Sequence, residues 1–438
     1  MFHLSWFIGN GYGIQEGWNG QFPSTGATDW TKPDFYIDVV RSMERACFDF
    51  VMMEDGLLVP DAFGGSMEAY LKLPLECPRL DPVPMMNILA GHTSRIGLVP
   101  TMSTSFYPPF MAARSLATLD HVSDGRAGGN LVTTSSHRSA NNFGLERHYD
   151  HDLRYRMAGE WVSVVSALLD SWEKDALVQD AAKGIFADHT KIHTIDFEGE
   201  FFKCRGPLNA PPGPQGRPVY CQAGASPAGR EFAARNVDTL LCVPLGLEAM
   251  KEFRQDMDRR LIANGRKPTD LKIFYLINPT VAETDEIAQD IYDRGTAAKQ
   301  TNEALEKTLA MMSYFSGTDF SKFNLDEPMP DLTGKVNGHQ SSMERFAKDG
   351  AKQKTLRELA LGQDVVGSIP LVGSPATVAQ KMGEAMDYVG GDGFMFACPL
   401  DRRVVATITD GLIPELQARG LTRTHYEHEH FKDNLMAF

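Results

Sequence analysis

The sequence is short of everything that would direct it to a polyanion or a bilayer. Among 438 residues there are 43 Lys and Arg against 57 Asp and Glu, a formal net charge of -14. A surface of that sign works against phosphate backbones and acidic lipids, so neither nucleic acid nor membrane is an expected partner. No apolar run approaches the roughly 18 residues of a membrane span. The opening Met1-Phe-His-Leu-Ser has no basic stretch ahead of an apolar one, so the expected location is cytoplasmic. Cysteine is sparse as well. Cys47, Cys77, Cys204, Cys221, Cys242 and Cys398 form no CxxC pair, which excludes a disulfide framework and reads as buried free thiols. The nucleophile elbow G-x-S-x-G and the phosphate loop G-x-x-x-x-G-K-[ST] are both missing, which removes support for hydrolase and P-loop chemistry.

What is present is alternation. Apolar runs of strand length at Leu4–Gly9, Phe48–Glu54, Ile96–Met102, Arg126–Thr134, Pro218–Gln222, Thr239–Val243, Ile273–Pro279 and Gly393–Cys398 are separated by amphipathic stretches. The latter include Asp34–Ala46, Phe110–His121, His151–Trp172, Pro227–Asn236, Leu247–Ala263 and Pro375–Tyr388. Eight such strands with right-handed crossovers predict an α/β fold, a closed TIM barrel, before an open sheet. The whole chain, 1–438, is expected to be one barrel domain with insertions near 9–33, 56–83, 175–216 and 297–370. In the third, a β-hairpin is expected from Ile192-His-Thr-Ile and Phe201-Phe-Lys-Cys around Phe197-Glu-Gly-Glu.

Several motifs have a plain reading. Gly9-Asn-Gly-Tyr-Gly13 follows a strand, but the Gly- and Pro-rich continuation cannot start the helix a dinucleotide site needs, so it reads as a loop over a pocket. His425, His428 and His430 read as a solvated tail, and no metal is expected. The informative polar residues lie where barrel strands end, as active sites on this fold do: Met53-Glu-Asp55, Thr101 to Tyr107, Gly128 to Ser135 and Gln222-Ala-Gly-Ala-Ser226. His151 and Tyr155, four apart at a helix start, share one face and meet the positive end of its dipole. Ser226 opens the next helix with a hydroxyl and free N–H groups. Together they predict a bound anion such as a phosphate, with a structural pair as the alternative for His151 and Tyr155.

These segments resemble a known family. Ser123-Asp-Gly-Arg-Ala-Gly-Gly-Asn-Leu-Val-Thr-Thr-Ser, Ala140-Asn-Asn-Phe-Gly and His151-Asp-Leu-Arg-Tyr155 are similar to bacterial luciferase-like flavin monooxygenases of the nitrilotriacetate and dibenzothiophene-sulfone branch. Phe202-Lys-Cys-Arg-Gly-Pro-Leu-Asn, Gln222-Ala-Gly-Ala-Ser, Gly373-Ser-Pro-Ala-Thr-Val-Ala and Ile413-Pro-Glu-Leu-Gln-Ala-Arg-Gly-Leu continue the likeness in the same order. The resemblance implies a TIM barrel and a two-component monooxygenase that takes reduced FMN as a diffusible substrate. Asp55 and Thr104 would line the isoalloxazine site, Asn130 would contact the ring, and His151, Tyr155 and Ser226 would hold the phosphate. It also implies O2 and a separate NADH:FMN reductase as partners. The same barrel would serve a deazaflavin-dependent dehydrogenase or a non-catalytic flavin-binding protein.

The first loop departs from the branch: Gly17-Trp-Asn-Gly-Gln stands where relatives acting on polycarboxylates resemble Ala-Trp-Arg-His-Pro. From residue 9 to 31 there is no Lys, Arg or His, so the expected substrate is a small apolar or aromatic compound, opening C–S, C–N or C–halogen cleavage or hydroxylation. A lid that excludes water is required. Its candidates are the first loop, with Trp18, Phe22 and Trp30 beside Trp6 and Phe7, and the 297–370 insertion. Core packing is the alternative for Trp6 and Phe7. Asn10, Tyr12, Tyr107 and His137 are candidates for positioning substrate or moving a proton. A homodimer or homotetramer is expected.

Overall fold

The computed structural model describes residues 1–9, 18, 26–328, 354–362 and 367–438. Eight parallel strands close into a barrel: β1 (His3–Ile8), β2 (Phe50–Met53), β3 (Gly97–Ser103), β4 (Gly128–Val132), β5 (Val219–Ala223), β6 (Thr239–Cys242), β7 (Lys272–Ile277) and β8 (Gly393–Phe396). They follow one another in chain order around the ring, and β8 pairs with β1 through His3 opposite Gly393. All eight fall on the expected apolar runs, because a strand buried on both faces leaves a nearly continuous hydrophobic signature.

Strand parity separates two cores. Phe50, Met52, Val99, Val219, Cys221, Leu241, Phe274 and Met395 point into the barrel, whereas Val51, Met53, Leu98, Leu240, Ile273 and Phe394 pack outward against the helices. The helices include α1 (Pro33–Arg45), α2 (Pro82–Ala90), α3 (Pro109–Val122), α4 (His151–Leu169), α5 (Pro227–Asn236), α6 (Leu247–Ala263), α7 (Asp285–Ala298), α8 (Asn302–Ser316) and α9 (Pro375–Val389). No described helix is long and apolar enough to cross a membrane.

The N-terminal mouth is stoppered by Phe431 and Leu435 of a C-terminal helix. Gly97 is required there, since a Cβ on it would stand 2.7 Å from the Phe431 ring. The opposite mouth is roofed by two of the expected insertions packed on each other. Tyr70 of the 56–83 segment donates its hydroxyl to the Ala310 carbonyl of α8 at 2.8 Å, and Leu73, Leu75 and Cys77 join that contact.

The hairpin expectation needs correction. Phe197–Glu198 is itself a strand and pairs with Lys203–Cys204, while Ile192 only bridges Trp172. A second hairpin, Leu177–Asp180 with Ile185–Ala187, lies outside the expectation. These are two- to four-residue surface strands, too short to show a period.

Candidate active site

A cavity of about 200 Å3 opens at the C-terminal ends of β1 to β5. Asp55, Asn130, His151, Tyr155 and Ser226 all line it, although 171 positions separate the first from the last. At one end, His151 is the first residue of α4 and its Nε2 lies 3.4 Å from the Ser226 hydroxyl. Ser226 caps α5, accepting from the Gly229 N–H at 3.1 Å. The Tyr155 ring meets the His151 ring edge-on at 5.1 Å, and burial raises the pKa of its hydroxyl, keeping it a donor. Two glycines let these groups converge: a Cβ on Gly229 would stand 2.9 Å from the Tyr155 hydroxyl, and one on Gly224 would stand 3.0 Å from it. Arg154 adds a buried cation to the same wall and donates to the Tyr149 carbonyl at 3.1 Å.

At the barrel axis the wall consists of amides and hydroxyls. Asn130 donates to the Thr101 hydroxyl at 2.9 Å, yet its Oδ1 is buried without a hydrogen-bond partner among the described residues, and so is Oε1 of Gln222. Buried polar atoms are ordinarily satisfied, so two of them facing one cavity mark a place for a ligand with N–H or O–H groups. This donor set fits a phosphorylated, N–H-bearing ring system. Asp55 borders the same space, and its carboxyl is pushed up to about 6 by burial, against the opposing hydrogen bond from the Gly56 N–H at 2.8 Å.

The remaining expected residues are placed differently. Thr104 does not line the cavity: it follows Ser103 and has the opposite parity, and its hydroxyl donates to the Val132 carbonyl at 3.2 Å. Thr101 and Ser103 face inward instead, as counting by twos from Val99 would have shown. His137 lines an adjoining cavity of about 430 Å3 that shares Ser135, Ser136, Tyr314 and Phe315 with the first. Its Nδ1 accepts from the His148 N–H at 3.2 Å. Tyr107 lies outside both linings, half-buried against the core, with burial pushing its hydroxyl up to about 12. Asn10, Tyr12 and Phe22 lie outside the described residues. Phe7 lines the cavity, whereas Trp6, one residue earlier, points outward and stacks on Phe396 at 5.7 Å, which makes it core. Trp18 is exposed.

Residues 17–393 match the family model described as luciferase-like monooxygenase. The chain belongs to that family. It is accordingly a flavin-dependent monooxygenase. Among luciferase-like relatives, it is 34% identical over 408 residues to the N-acetyl-S-(2-succino)cysteine monooxygenase of Bacillus subtilis (strain 168), covering 91% of this chain and 89% of that one. It is 32% identical over 415 residues to the dibenzothiophene-sulfone monooxygenase of Rhodococcus erythropolis, covering 93% and 91%. A solved riboflavin lyase with modified FMN and riboflavin superposes with a TM-score of 0.90 at 28% identity, covering 100% of this chain and 96% of that one. Besides Thr101 and Ser103, the cavity is lined by Gln222, one of the strand-end polar residues already flagged, and by Arg154 and Tyr314, which carry no local sequence signal that would single them out.

Proposed function

We propose that this monooxygenase binds reduced FMN, received by diffusion from a separate NADH:FMN reductase, and transfers one oxygen atom of O2 to a small organic substrate with an apolar or aromatic body. The observation that carries the reading is the placement of His151, Tyr155 and Ser226 at one end of the cavity whose axis presents the Asn130 and Gln222 oxygens. A phosphate suits the first group and ring N–H donors suit the second.

When bound, the reduced flavin supplies the two electrons that activate O2. The chain's own groups do the rest. Ser226 and His151 would anchor the phosphate, with Arg154 adding positive charge, while Asn130 and Gln222 would accept from the ring and fix its plane. Phe7, Tyr314 and Phe315 would exclude water from the reacting side. His137 in the adjoining cavity and Tyr107, which lines neither cavity but whose hydroxyl feels Asp55, are the described candidates for handling the substrate's proton. The sulfone and thioether compounds in the names of the two relatives favour a sulfur- or nitrogen-bearing substrate, with C–S or C–N cleavage. The working form is a cytoplasmic homodimer or homotetramer.

The test combines apoprotein with chemically reduced FMN and isotopically labelled O2 over a panel of organosulfur and aromatic compounds. One labelled oxygen atom should appear in the product of at least one compound. Absence of reduced-FMN binding, or label found only in water and hydrogen peroxide across the panel, overturns the reading.

A further inference from the structure

Four consecutive residues just past β4 pass from one cavity of the site to the other. Thr134 lines the first, Ser135 and Ser136 line both, and His137 lines the second. One residue from the loop before α4 grips both ends of this segment. His148, 2% exposed, donates from its ring Nε2 to the Thr134 carbonyl at 2.8 Å, and its backbone N–H donates to His137 Nδ1 at 3.2 Å.

The segment cannot keep its shape unaided. Thr134 sits in the left-handed region at φ 47°, a costly conformation for a β-branched residue that its surroundings must impose. Its hydroxyl donates to Ser103 Oγ of β3 at 2.6 Å, and His148 holds its carbonyl. The His148 ring is fixed in turn, stacked on Phe106 at 5.1 Å, which stacks on Phe143 at 4.2 Å. Burial, reinforced by the Arg154 charge, pushes its pKa down to about 4 against the hydrogen bond to Thr134, so at neutral pH it carries one proton, on Nε2. The backbone contact settles a second ring. A nitrogen that accepts a hydrogen bond bears no proton, so His137 has its proton on Nε2 and is a donor in the cavity it lines.

We propose that His148 is a positioning residue for the oxygen transfer, a clamp whose ring holds the Thr134 bend against the first cavity and whose backbone sets His137 as an Nε2–H donor in the second. It touches neither ligand. His148 also stands three residues before His151, so the same short loop fixes the wall of the first cavity and leads into the helix that opens on the phosphate end. The clamp belongs to the apoprotein; only the use made of the two walls, flavin on one side and substrate on the other, rests on the proposed function.

Nitrogen-15 NMR of histidine-labelled apoprotein at mildly alkaline pH tests the clamp directly. Both His137 and His148 should show the neutral Nε2–H tautomer. In His148→Phe, which keeps a ring against Phe106 and lacks the donor, the His137 signals should move to the mixed tautomers of a free imidazole. Anaerobic titration of the same variant with reduced FMN should show a Kd raised about two- to tenfold, the worth of one neutral hydrogen bond. His148→Gln, whose amide can donate to the same carbonyl, should restore the His137 tautomer and bring Kd back to within about twofold of wild type. An Nδ1–H tautomer at either ring of the wild type overturns the proposal, whether or not the variants fold. A His137 spectrum or an affinity indifferent to His148→Phe does the same, and so does a loss that His148→Gln leaves in place. Expected tautomers in a wild type that takes up no reduced FMN support the clamp and count against the flavin reading alone.

Discussion

At the N-terminal mouth of the barrel, the charged groups face one another. Asp49 takes His3 at 3.0 Å and Arg423 at 2.9 Å, Lys272 donates to the Phe438 carbonyl at 2.6 Å, and Phe431 and Leu435 fill the space between the strands. At the C-terminal mouth of the same strands, Asn130 and Gln222 present oxygens to an open cavity, and Arg79 sits between the Glu54 and Glu76 carboxylates. One mouth is closed by packing and ion pairing, while the other leaves its polar groups waiting for a ligand. The difference shows how one fold divides stability from function: alternation along each strand builds both ends, and the segments that join the strands decide which end is sealed.

Removing the stopper should break this comparison most strongly. Phe431→Ala leaves a void against Gly97 and Phe50, and should lower stability to urea by about 3–5 kcal/mol while leaving reduced-FMN affinity unchanged under conditions where the protein stays folded. A large loss of affinity in the folded variant would show that the two mouths are coupled.

The next effect belongs to the open mouth. Ser226→Ala and His151→Ala should each weaken reduced-FMN binding by about 1.5–3 kcal/mol, the range for a hydrogen bond to a charged group, or roughly ten- to a hundredfold. Anaerobic fluorescence titration reads this directly. Unfolding midpoints without ligand should shift little. Riboflavin, which has no phosphate, should bind wild type and variants alike, and a variant that weakens riboflavin equally would remove the phosphate assignment.

The smallest effect concerns Asp55, whose carboxyl is raised from 3.8 to about 6, chiefly by burial. An acid with a folded pKa above its unfolded value binds more protons when folded, so its contribution to stability falls as pH rises through that window and the penalty is complete above it. Asp55→Asn should therefore be more stable than wild type above the window, by on the order of 1 kcal/mol after solvent screening, and no different below it. Unfolding curves at the two pH extremes check this. A constant difference across pH would mean that Asp55 is not held out of water.

The strands were legible because each is buried on both sides, and the convergence of His151, Tyr155 and Ser226 on one cavity was legible because they carry their own local signals: a helix start, a four-residue spacing and a cap. Thr104 shows the limit. Among Thr101 to Ser105 every residue but Met102 carries a hydroxyl that could serve, and only parity, anchored by Val99 pointing inward, selects Thr101 and Ser103. Trp6 shows it again, since adjacent aromatics in a strand face opposite sides and only the register says which is core. The short surface hairpins between 175 and 216 were misplaced because they bury little and carry no period.

By itself, the order of apolar runs and polar strand ends determined a barrel with its chemistry at one mouth, because burial and backbone periodicity are written locally. What only the tertiary structure decided is which groups meet. Glu54 and Glu76 lie on different elements, and no spacing predicts that they share Arg79. Likewise, Asn130 and Gln222 become unsatisfied only once closure of the barrel has removed their water. Local sequence sets the conformation of each segment, but desolvation and pairing depend on segments distant in the chain.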